Sequence, residues 1–80
     1  MNIKDYIIQT YSIVLNSDDY KTLENYLLSN INEISSEDDL KGQIRNYIFK
    51  NYKPKLKFGI DNSDLKQALL LLKTKTKNTK

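Results

Sequence analysis

The 80-residue chain has no cysteine, no histidine and no tryptophan, and only two glycines and one proline. Each absence removes a class of chemistry. Without cysteine there is no disulfide framework, a composition compatible with a reducing cytoplasm. Without histidine or cysteine there is no thiolate or imidazole zinc site, no Ser-His-Asp triad and no cysteine nucleophile. Gly42 and Gly59 are too few and too far apart for a phosphate-cradling loop. The longest uninterrupted apolar run is Ala68 to Leu72, far short of the ~20 residues of a membrane span. The start, MNIKDYIIQTYSIVLNSDD, has no basic n-region, and polar residues break up its apolar ones, so a secretory signal is not expected. These absences predict a cytosolic, non-enzymatic chain that needs no cofactor and no metal.

What remains is modest in size and uneven in charge. Ile, Leu, Val and Phe number 23 of 80 residues, too apolar for a disordered chain and enough for one small core. A domain of this length buries only ~60% of its unfolded surface, so stability must come from helix packing, a partner or both. The formal net charge is +3. Residues 1–49 carry Lys4, Lys21, Lys41 and Arg45 against eight acids, a net of −4. Residues 50–80 carry nine lysines against Asp61 and Asp64, a net of +7. A patch of this kind favours an acidic partner, anionic lipid or nucleic acid.

Periodicity predicts an all-α chain, an antiparallel four-helix bundle over 1–73, followed by a disordered Lys/Thr tail over 74–80. The first helix is expected from Ile3 to Leu15, capped by Asn2, with Ile3, Ile7, Tyr11 and Val14 on one stripe widened by Ile8 and Leu15. Asn16 to Asp19 reads as turn and cap. The second helix is expected from Asp19 to Ile34, with Tyr20, Leu23, Leu27, Ile31 and Ile34 facing inward. Ser36-Glu37-Asp38-Asp39 resembles a capping box at the start of the third helix. Its inner face is Leu40, Ile44, Tyr47, Ile48 and Asn51, with Phe49 packed sideways or exposed. Pro54 ends that helix. A connector with at most one short extended stretch near Leu56–Phe58 leads to a fourth helix starting between Gly59 and Ser63, capped by Gly59 or Asp61. Its inner stripe is Leu65, Ala68, Leu69 and Leu72, while Leu70 and Leu71 fall roughly 100° or more away.

Most conspicuous features have ordinary structural explanations. The acidic groups Asp18/Asp19 and Glu37/Asp38/Asp39 sit where helices begin, and capping accounts for them without paired catalytic carboxylates. The six tyrosines fall at or beside core positions, as rings with hydroxyls at a bundle edge do. The Lys-Thr tail lacks arginine and interleaved aromatics, which makes it a poor base reader. The Leu69–Leu72 run is the feature least explained by solubility. Beside Lys66, Lys73 and Lys75 it suits an apolar spot that meets a membrane-associated partner.

Residues 43–72, QIRNYIFKNYKPKLKFGIDNSDLKQALLLL, resemble the small cytosolic immunity proteins of class IIa (pediocin-like) bacteriocins. The resemblance lies in a helix ending in aromatic and polar residues, the connector Lys55-Leu56-Lys57-Phe58 and the Leu-rich amphipathic helix after it. The first half agrees only in layout. Gly59 stands where the family usually has a Thr or Ser cap. The Lys-Thr tail stands where many relatives carry a longer segment folded back on the bundle, so the resemblance does not say which bacteriocin is countered.

The resemblance implies a four-helix bundle that acts at the inner membrane face. Its partner there would be the mannose-type phosphotransferase permease with bacteriocin bound, and the lethal pore would be blocked. Charge location and the family pattern together nominate Lys53, Lys55, Lys57, Lys66, Leu70, Leu71, Lys73 and Lys75 as the contact surface. Peripheral contact with an anionic membrane and a monomer or weak dimer accompany this reading. The main rival is a small helical DNA-binding or regulatory protein of phage or plasmid origin. It is disfavoured because no helix is Arg-rich and the third helix opens with acids that phosphates repel.

Overall fold

A computed structural model of the chain describes residues 2–54 and 63–78. Among these residues there are four α-helices and no strand. The extended stretch considered near Leu56–Phe58, and the caps considered at Gly59 and Asp61, lie outside the described residues.

Helix α1 spans Ile3–Tyr11. Asn2 caps it as expected, its Oδ1 accepting the Asp5 N–H at 2.7 Å, which satisfies one of the orphan donors of the first turn. The helix ends earlier than the apolar stripe suggests. Ser12 adopts left-handed backbone, φ 58° and ψ 34°, and its N–H closes the last turn on the Ile8 carbonyl. From there to Asn16 the chain is not helical. The change of backbone resets the side-chain phase from helical toward the alternation of extended chain. Leu15 is buried and Ile13 packs against the core, whereas Val14, expected on the inner stripe, is 74% exposed. Ile8 is also exposed rather than part of the buried stripe.

Helix α2 spans Ser17–Ser29, with Asn16 Oδ1 accepting the Asp19 N–H at 2.8 Å. It does not run to Ile34. Ser29 and Asn30 turn their side chains back onto the Asn25 and Tyr26 carbonyls, a competition with the backbone that suits a helix end. A short 3-10 turn over Ile31–Glu33 follows, and Ile34 is then buried from non-helical backbone.

Helix α3 spans Glu37–Asn51. Ser36 Oγ accepts the Asp39 N–H, and the Asp39 carboxylate accepts both the N–H and the hydroxyl of Ser35. This is the reciprocal cap expected, with the return bond reaching one residue further back than in a standard capping box. Leu40, Ile44, Tyr47 and Ile48 are buried as predicted. Asn51 is exposed instead, with its side-chain amide donating to the Tyr47 carbonyl.

Helix α4 spans Lys66–Asn78, so it starts later and ends later than expected. Helical backbone continues past Lys73 to Asn78, where the sequence places a disordered tail from Thr74 onward. Thr74 Oγ1 donates to the Leu70 carbonyl, and Lys75 pairs with Glu24 at 2.8 Å. The apolar run alone does not reveal this anchoring.

The cross-helix contacts set the packing. Tyr26 of α2 donates to Gln43 of α3 and its ring lies 5.3 Å from that of Tyr47. Asp19 at the start of α2 sits beside Tyr52 at the end of α3, so α2 and α3 are antiparallel. The Leu65 N–H, just before α4, donates to Glu37 Oε1 at the start of α3 at 2.9 Å. Lys75 meets Glu24 near the middle of α2. Helix α4 is therefore antiparallel to α2, while α3 and α4 point the same way and begin at the same end. One core joins all four helices, including Ile7, Leu23, Leu27, Ile44, Ile48 and Leu72, with no polar or charged side chain buried among the described residues.

Candidate functional site: the outer side of the C-terminal helix

Helix α4 has an inner and an outer side, and the residues that face the core define them. Leu65, Ala68 and Leu72 are buried and Leu69 is half-buried. At 100° per residue the exposed Gln67 and Thr74 lie opposite the core, and two stripes flank them. Lys66, Leu70 and Lys73 fall at i, i+4 and i+7 on one outer stripe. Leu71 and Lys75 fall at i and i+4 on a second stripe, turned toward α2.

Exposure follows this division. Leu70 is 55% exposed and Leu71 61%. Lys66 is exposed and Lys73 half-buried. Leu71 and Lys75 border a groove of about 250 Å³ whose floor includes Ile3, Ala68 and Leu72, with Tyr20 and Glu24 on its α2 side. Glu24 holds the Lys75 ammonium at 2.8 Å. Burial, and then the neighbouring Glu24 carboxylate, push the Tyr20 hydroxyl above its ordinary value, while Lys75 pulls the other way. Tyr20 therefore stays neutral through physiological pH, and the groove is apolar with one ion pair on its rim.

The other nominated residues are not on α4. Lys53 is exposed beyond the end of α3. Because α3 and α4 point the same way, that is the end toward which α4 runs. Lys55 and Lys57 lie outside the described residues. The structure thus brings Lys66, Leu70 and Lys73 together, sets Leu71 and Lys75 round the side of the helix, and ties Lys75 into the bundle.

The remaining conspicuous groups are accounted for by packing and capping. Tyr6, Tyr11 and Tyr47 are buried, and Tyr20, Tyr26 and Tyr52 are half-buried. Burial first, and Asp19 second, raise the Tyr47 and Tyr52 hydroxyls above their ordinary values. The acidic groups at Asp18/Asp19 and Glu37–Asp39 occupy first helical turns. Among the described residues no cluster of acids is arranged to hold a metal ion. No helix among them is long and apolar enough to cross a membrane.

Two features were not anticipated from the sequence. The Arg45 guanidinium lies 5.3 Å from the centre of the Phe49 ring, a cation–π contact, and Phe49 meets Tyr11 edge-on. The i, i+4 spacing of Arg45 and Phe49 on one helix was a usable signal. The Glu24–Lys75 pair had none, because its members come from helices far apart in sequence. No family model, curated protein or solved structure matches the chain.

Proposed function

We propose that this chain is a cytosolic immunity protein that protects a Gram-positive cell from a pediocin-like bacteriocin. In this reading it binds the bacteriocin-occupied mannose-type permease at the inner face of the membrane and blocks the pore. The observation that carries the proposal is the outer side of α4, where Leu70 and Leu71 stand exposed among lysines. Exposed leucines cost solubility and contribute nothing to this core, so a bound partner is the natural reason to keep them there. The helical scaffold, the cationic C-terminal half and the resemblance of residues 43–72 point in the same direction.

The experiment is co-isolation. The tagged chain is expressed in a sensitive Gram-positive strain, and its membranes are solubilised before and after exposure to a pediocin-like bacteriocin. The proposal expects permease subunits to co-purify only after exposure. Recovery of none under either condition, across a panel of such bacteriocins, would count against it.

A further inference from the structure

Leu70 and Leu71 point away from the positions by which α4 meets the core. Leu65, Ala68 and Leu72 fill that side, and the Lys75–Glu24 pair holds the helix against α2. Leu70 sits between Lys66 and Lys73 on the outer stripe. From 66 to 78 the sequence has four lysines and no acid. The outer side of α4 therefore carries two exposed leucines flanking the neutral Gln67 and Thr74, and every charge on the helix is positive.

We propose that this side docks on an anionic lipid surface, with α4 lying flat in the interface. Leu70 and Leu71 enter the boundary between headgroups and acyl chains. The lysine stems lie along the apolar layer while their ammonium groups reach the lipid phosphates. Charge selects lipid over a second copy of this chain. Two copies meeting through this stripe would bring their own lysines together, whereas an anionic bilayer neutralises them. The leucines select lipid over nucleic acid, since a phosphate backbone offers them no apolar contact. A bilayer also accepts two adjacent leucines without a complementary pocket, unlike a folded acidic protein. The immunity reading names a protein complex with peripheral membrane contact beside it; this inference makes anionic lipid itself the partner of α4, and it rests on α4 alone.

The test is co-sedimentation of the full chain with two kinds of vesicle, phosphatidylcholine alone and phosphatidylcholine mixed with phosphatidylglycerol. Binding is expected on the anionic vesicles only, and it should weaken as salt shortens the Debye length. Leu70→Ser combined with Leu71→Ser should lower affinity by about tenfold or more, consistent with loss of buried apolar area. Lys66→Glu should weaken binding at low salt, and Lys66→Arg should restore it. Val14→Ser, which removes an exposed apolar residue outside α4, should change nothing. Far-UV circular dichroism and thermal melts confirm that each variant is folded, and Leu70→Ser alone serves if the double variant is not.

Equal binding to neutral and anionic vesicles would overturn the proposal, as would full binding by the folded serine variant. Absence of vesicle binding would also overturn it, including where sedimentation shows a concentration-dependent dimer. The vesicles hold neither permease nor bacteriocin. Vesicle binding without protection in cells would therefore sink the immunity reading alone, and protection without vesicle binding would sink this one alone.

Discussion

Glu37 joins the starts of two helices, and removing its carboxylate tests how α4 is placed. Its Oε1 accepts the Leu65 N–H at 2.9 Å across a sequence separation of 28 residues. Leu65 itself is fully buried. Glu37→Ala leaves that N–H without its acceptor at the point where the chain enters α4. A hydrogen bond to a charged group contributes about 1.5–3 kcal/mol. Glu37 is half-buried, so water screens its carboxylate in part. That places the expected loss near the lower end, about 1.5 kcal/mol. For a domain this size that corresponds to a fall in Tm of roughly 6–12 °C.

Glu37→Gln keeps an oxygen acceptor and should lose less than Glu37→Ala. Asp38→Asn is the control for the helix dipole alone. Asp38 is exposed in the same first turn, and its neutralisation should cost about 0.3–1 kcal/mol. The assay is urea unfolding followed by circular dichroism, together with amide exchange at Leu65. Exchange at that amide should accelerate in the Ala variant more than exchange at Ile44. An Ala variant as stable as the Asp38→Asn control, with the Leu65 amide still protected, would refute the tether.

Four other outcomes follow from the fold. Leu15→Ala should cost about 2–4 kcal/mol, and Val14→Ser should stay within about 0.5 kcal/mol of the parent; the reverse order in urea melts would mean that α1 continues to Leu15. Gly42 lies mid-helix in α3 with nothing within 4 Å of an added Cβ, so Gly42→Ala should stabilise by about 0.5–1 kcal/mol. Ser12 has a φ of 58°, so Ser12→Gly should gain about 0.5–1 kcal/mol for the opposite reason, and a loss in either melt would contradict the backbone assignment. The Ser35 hydroxyl and N–H hold the Asp39 carboxyl below its ordinary 3.8. A depressed carboxylate contributes stability that is present above its unfolded value and lost as pH falls through its folded value. Stability should therefore drop below pH 3.8, and Asp39→Asn should flatten that acid limb in melts taken as a function of pH.

Much of the fold is legible where side-chain chemistry acts locally. Asn2, Asn16 and Ser36 declare helix starts because a short polar side chain reaches the N–H three residues on. Stripes at three and four residues find Leu23, Leu27, Leu40, Ile44 and Ile48, because each lies within one uninterrupted helix. The reading fails where the backbone departs from the helix without Gly or Pro to mark it. Ser12 in left-handed backbone moves Val14 outward and Leu15 inward. Asn30 ends α2 through its own side chain, although Ile31 and Ile34 keep the helical spacing.

The start of α4 is hidden from the sequence for a different reason. Its acceptors are Asp64, bonded to the Lys66 N–H, and Glu37 from another helix. A cap supplied across 28 residues leaves no local trace. The nominated site shows the same limit. The cationic, Leu-rich character of α4 is plain in composition. Only the direction of the core decides that Lys66, Leu70 and Lys73 share a stripe, and only the docking of α2 ties Lys75 to Glu24.

The most direct measurement of the proposed function is protection in living cells. The chain is expressed in a sensitive Gram-positive strain, and the inhibitory concentration of each member of a panel of pediocin-like bacteriocins is compared with that in the empty-vector strain. A raised inhibitory concentration for at least one member, with bacteriocins of other classes unaffected, is the predicted result. Unchanged sensitivity to every member, with the folded chain present at high level in the cytosol, would contradict it.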